Sequence, residues 1–165
     1  MVREGTLGGG QPSLAQMLSE DMVALQVSVS NWEEAVRAAG GLLVRSGAVE
    51  PRYVEAMIRM VKEIGPYIVI APGVALPHAR PEEGALRPCM SALTLNPAIN
   101  FGNVHNDPVS LVIAFGAPDS EGHVGALAEL ARVLEDAEVL ERLKRACSVQ
   151  EFLSLMCRSK GARQL

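Results

Sequence analysis

The chemistry open to this chain centres on three histidines, His78, His105 and His123. His78 is set between two prolines, in Leu76-Pro77-His78-Ala79-Arg80-Pro81. Pro77 fixes its own φ and biases Leu76 toward extended backbone, and Pro81 does the same to Arg80. A side chain on backbone with so few alternatives can meet a reactant without first being ordered. A neutral imidazole nitrogen is nucleophilic near neutral pH, because the unperturbed pKa is about 6.5. If the group transferred is a phosphoryl, one nitrogen of His78 attacks, the other donates to a backbone carbonyl, and positive or N–H groups surround the phosphoryl oxygens. Arg80, just past His78, could steer or clamp such a group. His123 falls in or next to the first turn of an expected helix, together with Ser120. The free N–H groups there and the positive end of the helix dipole suit an anion and favour a neutral, hydrogen-bond-donating imidazole.

Each of these residues also has a plainer role open to it. Taken alone, a proline-flanked histidine is more often a turn or packing residue. Arg80 could pair with Glu82 or Glu83 at the surface, where such a pair contributes little. His123 could be a solvent-facing helix residue. His105, in Asn103-Val104-His105-Asn106-Asp107, reads as a solvated loop residue, and Asp107 as a turn former. Met57 and Met60 face the core by their spacing. Neither His78 nor His123 has a second His or Cys at helical or turn spacing, as a zinc site would need. There is no glycine-rich nucleotide loop and no nucleophile elbow.

Longer stretches say more. Gly73-Val74-Ala75-Leu76-Pro77-His78-Ala79 resembles the phosphorylation-site motif of the enzyme IIA domains of the sugar phosphotransferase system, in the mannitol/fructose class (EIIA type 2). The run from Glu50-Pro51-Arg52-Tyr53 through Gly65-Pro66-Tyr67 to Pro77-His78-Ala79-Arg80-Pro81-Glu82-Glu83-Gly84 is similar to the ascorbate-specific branch. The resemblance spans roughly Leu14 to Cys157. It implies that His78 accepts a phosphoryl group from the phosphocarrier HPr and passes it to a cysteine of enzyme IIB, serving a membrane IIC component indirectly. It also implies that His123 lies beside His78 and helps hold the group. Glu121-Gly122-His123-Val124, with Leu127 and Leu130, resembles the family's His-Leu-x-x-Leu-x-x-Leu segment. No cofactor or metal is implied. Where many members carry Arg-Glu before the phosphorylation loop, this chain has Lys62-Glu63, which weakens Lys62 as a phosphate-side cation. The same resemblance admits a different class of function, a regulatory module of the nitrogen-related type whose phosphorylation state controls a binding partner.

The elements that must position these residues follow from patterning. A chain of 165 residues is one domain by size and can bury a real core. With one Trp, two Tyr and three Phe, the packing falls to Ala, Val, Leu and Ile. Net charge is −4 with both signs scattered, and no basic block suggests nucleic acid. No apolar run reaches membrane-spanning length and no signal-peptide core is present, so a cytoplasmic protein is expected, with Cys89, Cys147 and Cys157 as reduced thiols. Residues 1–12 read as a disordered N-terminal extension, 13–158 as the domain and 159–165 as a flexible tail.

Within the domain, alternation from Val23 to Val29 predicts a strand. Asn31 with Glu34 predicts a capped helix ended by Gly47, and Pro51 opens another that Gly65-Pro66 stops. A strand then leads to His78. Met90 to Leu95 predicts a strand broken by Asn96-Pro97, and Val109 to Phe115 one buried on both faces. Pro118-Asp119-Ser120 begins a helix with Val124, Leu127, Ala128, Ala131 and Leu134 inward. Helices near Ala137 to Arg145 and Val149 to Arg158 follow, with Ser148 and Glu151 as a second capping pair. The fold class expected is α/β, a single-domain three-layer sandwich around a central mixed, mostly parallel sheet of about five strands flanked by helices. If the strands before His78 and His123 lie centrally, both imidazoles face one crevice at their exit ends.

Overall fold

The computed structural model describes residues 12–119, 121 and 124–163. Ser120, Gly122, His123 and the two ends lie outside the described residues, and with them the expected N-terminal extension up to residue 11.

Local signals set most element boundaries. Helix α1 (Leu14–Met17) carries a reciprocal capping box between Ser13 and Gln16. Strand β1 (Val23–Val27) ends two residues before Val29, after Gln26 turns to a φ of 55° and its N–H is taken up by Thr94 Oγ1 at 2.7 Å. Helix α2 (Trp32–Arg45) is capped by Asn31, whose side chain accepts the Glu34 N–H at 3.0 Å. Glu34 reaches back not to Asn31 but to the Ser30 N–H, at 2.8 Å. The same displaced box opens helix α6 (Val149–Arg163), where Ser148 Oγ accepts from Glu151 N–H and Glu151 accepts from Cys147 N–H. At the far end of α2, Gly47 adopts a φ of 79°. The Gly47 and Ala48 N–H groups then close on the carbonyls of Val44 and Leu43, a Schellman ending that a residue with a Cβ fits poorly. Helix α3 (Pro51–Ile64) has proline in its first turn and stops at Gly65.

The remaining elements are β2 (Val69–Ala71), β3 (Val74–Ala75), β4 (Cys89–Ile99), β5 (Val109–Gly116), α4 (Val124–Glu135) and α5 (Ala137–Arg145). The sheet order is β1-β4-β5-β3-β2. It is mixed, as expected, with β1·β4 and β3·β5 parallel and β4·β5 and β2·β3 antiparallel. β5 lies in the middle and is buried almost throughout. Helix α2 packs on β4 and β5 with α3 behind it, while α1, α4, α5 and α6 form a second group that touches β1, β4 and β5. The short β2–β3 hairpin is fastened at the rim away from His78. There Asn106 Nδ2 donates to Val69 O at 3.1 Å, Gly73 N to Asn106 O at 2.8 Å, and Lys144 Nζ to Pro72 O at 3.2 Å.

Three further sequence expectations change. Asn96-Pro97 does not end β4: pairing with β5 shifts register after Thr94 and resumes at Ile99↔Val109. Pro97 cannot donate to a ladder and sits in the shifted segment. Helix α4 buries Ala126, Leu130 and Val133, not Val124, Ala128 and Ala131. The two stripes share Leu127 and Leu134, so periodicity alone could not choose between them. Contacts with α1, where Glu129 Oε1 accepts the Leu14 N–H at 2.7 Å, and with α5 go with the observed rotation. Helix α6 also runs to Arg163, past its expected end at Arg158.

The α2–α3 packing makes a stability test. A Cβ on Gly40 would lie 2.7 Å from Val54 Cγ2, a β-branched methyl with little freedom to yield. Alanine gains about 0.5–1 kcal/mol of helix propensity. Overpacking costs about 1–3 kcal/mol, so the clash wins. Gly40→Ala is expected to lower Tm by roughly 2–6 °C in a thermal scan. Gly41→Ala, whose Cβ meets only Arg45 Nη1 at 3.6 Å, is expected to leave Tm unchanged or raise it.

Candidate functional site

β3 and β5 run parallel and leave the sheet at the same rim, where the Phe115 N–H donates to Pro77 O at 3.2 Å. His78 follows β3 directly. Three contacts fix its half-buried ring. Nδ1 lies 2.9 Å from the carbonyl oxygen of Leu76. The ring stacks on Phe115, with centroids 4.8 Å apart and planes 14° apart. Tyr67 meets it edge-on at 6.0 Å and 76°. A carbonyl oxygen can only accept, so Nδ1 carries the proton and Nε2 of the neutral ring holds the lone pair. Among the described residues Nε2 has no hydrogen-bond partner. A cleft of about 270 Å³ opens beside the ring, walled by Met60, Arg80, Pro81, Phe115 and Ala117.

The backbone under the ring is held equally firmly. Leu76 N–H donates to Ile68 O at 2.8 Å. The Tyr53 hydroxyl, buried under the cleft, accepts the Ala79 N–H at 3.0 Å and lies 3.1 Å from Ala79 O and 2.9 Å from Phe115 O. Desolvation by burial pushes this hydroxyl up to about 12, so it keeps its proton.

The sequence candidates divide as follows. His78 and Arg80 share the cleft. Arg80 is exposed and makes no ion pair among the described residues. The surface pair with Glu83 does not form, because Glu83 is held by Arg59 at 3.1 Å. Lys62 pairs with Glu33 at 3.1 Å and does not line the cleft, so the α3 side chain that reaches the cleft is Met60. His105 is exposed in the loop at the opposite rim, beside Asn106, and Asp107 closes that loop by accepting from Phe101 N–H and Gly102 N–H. Ser120 and His123 lie outside the described residues. The meeting of the two strand exits is thus visible, and the meeting of the two imidazoles is not. Met57 is core, while Met60 is a half-buried cleft wall.

Sequence reasoning missed Phe115, Tyr53 and Tyr67. Phe115 was hidden at the end of an apolar run. Tyr53 was counted on an apolar helical stripe, although a buried tyrosine needs a partner for its hydroxyl. No helix of the described residues is long and apolar enough to cross a membrane, and no three of their His, Cys, Asp and Glu side chains are placed to hold a metal ion.

The model of the family described as "Phosphoenolpyruvate-dependent sugar phosphotransferase system, EIIA 2" matches residues 16–158. The chain belongs to this family. It is therefore a phosphotransferase-system EIIA component, from a family of phosphoryl carriers. The ascorbate-specific PTS system EIIA component of Escherichia coli (strain K12) is 40% identical over 142 residues, covering 85% of this chain and 92% of that one. Among solved structures, the mannitol-specific cryptic phosphotransferase enzyme IIA CmtB from Escherichia coli is 33% identical, over 90% of this chain and 100% of that one, with a TM-score of 0.81. The enzyme IIA of the Escherichia coli complex of enzyme IIAMTL and phosphorylated enzyme IIBMTL is 31% identical, over 84% of this EIIA chain and 95% of that one, with a TM-score of 0.75.

Proposed function

We propose that this EIIA component carries phosphoryl groups for an ascorbate-type uptake system, taking them from HPr onto Nε2 of His78 and giving them to a cysteine of enzyme IIB. The observation that carries this reading is the imidazole with Nδ1–H held by Leu76 O and Nε2 left for the cleft. In the first step the Nε2 lone pair attacks phosphorus. The N–P bond of the donor histidine breaks, and its electron pair returns to the donor nitrogen. In the second step a IIB thiolate attacks phosphorus, the new N–P bond breaks, and its electrons return to Nε2. Nδ1 keeps its proton throughout. The ring is cationic while it carries the group, and the Leu76 carbonyl dipole stabilises that charge.

Arg80, exposed on the cleft wall without an ion pair among the described residues, meets the phosphoryl oxygens. Ser120 and His123 complete the pocket in this reading. Support for them is the exit of β5 at the His78 rim, with Ala117 of the cleft wall leading into their segment. The protein works in the cytoplasm, and the membrane IIC component is reached only through IIB. The ascorbate-specific relatives and the Gly65-Pro66-Tyr67 segment, whose tyrosine touches the His78 ring, support that branch.

The test is incubation with phosphoenolpyruvate, enzyme I and HPr, followed by addition of an ascorbate-type IIB and mass spectrometry of both proteins. The expected result is one acid-labile, base-stable phosphate that moves to IIB, with His123→Ala labelled more slowly. Phosphate on Ser120 or His105 refutes the site. A labelled protein that keeps its group in the presence of IIB points instead to the regulatory role.

A further inference from the structure

Two elements touch the His78 ring or its backbone from far apart in the chain: the loop at Ala79 and the end of β5 at Phe115. One buried hydroxyl joins them. We propose that Tyr53 is a positioning residue for His78, its Oη coupling the loop that bears the imidazole to the strand end that bears the stacking ring. It takes His78 as the phosphoryl acceptor proposed above.

The hydrogen-bond capacity of a phenol makes the coupling specific. Oη has one proton and two lone pairs. It accepts the Ala79 N–H at 3.0 Å. Its single proton then lies between Phe115 O at 2.9 Å and Ala79 O at 3.1 Å. Ala79 is the next residue after His78, and Phe115 supplies the ring that stacks on it at 4.8 Å. Pro77 O, on the other side of His78, is bonded to the Phe115 N–H. The peptide groups flanking His78 are therefore both tied to Phe115, one directly and one through Tyr53. Gly116 shows how closely the hydroxyl is seated: a Cβ there would lie 2.8 Å from Oη and 3.0 Å from Cζ. Without the Oη link, Ala79 is no longer tied to Phe115, and the stack is held from one side only.

Two variants disturb the same atom in different ways. Tyr53→Phe removes the hydroxyl and keeps the ring, while Gly116→Ala keeps the hydroxyl and pushes it away. The first readout is NMR of the unphosphorylated protein, following the ring-current shift of the His78 C–H protons and the 15N tautomer pattern of the imidazole. Both variants are expected to lose at least about half of the ring-current shift and to populate the second tautomer. The second readout is the rate of phosphoryl acceptance. A kcat reduced on the order of 10- to 100-fold at nearly unchanged KM for phospho-HPr is expected, as for a reacting atom displaced by about an ångström. A variant that melts earlier but keeps the wild-type ring-current shift and kcat refutes the proposal and leaves Tyr53 a packing residue. Should Tyr53→Phe fail to fold, Gly116→Ala decides by the same two readouts. Wild-type protein that takes no phosphate on His78 refutes the proposed function alone, because the NMR comparison still decides the role of Tyr53.

Discussion

His78→Ala is expected to abolish phosphoryl acceptance from HPr while unfolding within a few degrees of the wild type. The ring sits half-buried at the rim of the sheet, so truncation opens no sealed cavity. The stack on Phe115 contributes about 0.5–1.5 kcal/mol beyond area burial. The Nδ1–Leu76 O bond adds about 0.5–1.5 kcal/mol net. Both losses are small against a typical folding stability of about 5–15 kcal/mol. No described residue replaces the nucleophile: His105 is at the opposite rim, and the Cys89 thiol is buried and pushed up to about 11 by desolvation. Arg80→Ala is expected to slow acceptance by roughly 10-fold without abolishing it, because an exposed guanidinium works against water screening. Intact-mass labelling and thermal scans check all of this. Wild-type labelling of His78→Ala would remove the basis for the mechanism.

Phe115 carries the largest combined effect on stability and activity. It is 6% exposed, at the end of the central strand. Phe115→Ala is expected to cost about 3–5 kcal/mol. That corresponds to a Tm lower by roughly 6–20 °C. The same change leaves the His78 ring without the face it rests on. Phe115→Leu separates the two roles, since it keeps an apolar side chain in the core and removes only the aromatic face. Its cost is expected to stay near 1 kcal/mol, as in other apolar core swaps. Acceptance is still expected to fall about 10-fold. A leucine variant as fast as the wild type would show that the stacked ring serves the core alone.

What could be read from the sequence depended on how local its cause was. Asn31, Gly47 and Pro51 act on their own neighbours, and the caps and ends they announce are where the residues say. The prolines around His78 likewise declare a restrained loop. The displacement of Glu34 to the Ser30 N–H was not legible, because one side-chain torsion chooses between adjacent donors. The buried face of α4 was not legible either, since its two apolar stripes share residues and partners elsewhere in the chain decide between them. At the site, a proline-flanked histidine advertises itself, whereas Phe115 looks like any other core residue in the run from Val109. Only the register Val74↔Leu111 brings that ring under the imidazole, and register is a property of two strands together.

The β2–β3 hairpin is the sheet's most slender part, with three residues in one strand and two in the other. Lys144 and Asn106 hold the hairpin itself, while Tyr53 and the Phe115 N–H hold the loop that leaves it, at Ala79 and Pro77. Should the second set let go, the loop that bears His78 is released, while β3 stays laddered to β5 through Val74↔Leu111 and Ala75↔Val112. Such sub-global openings are less costly than complete unfolding. Heating is therefore expected to slow phosphoryl acceptance by His78 before it unfolds the sheet, which labelling rates taken across a thermal scan would show. A docking protein that spans both strand exits would hold this loop in place and offset such an opening by mass action.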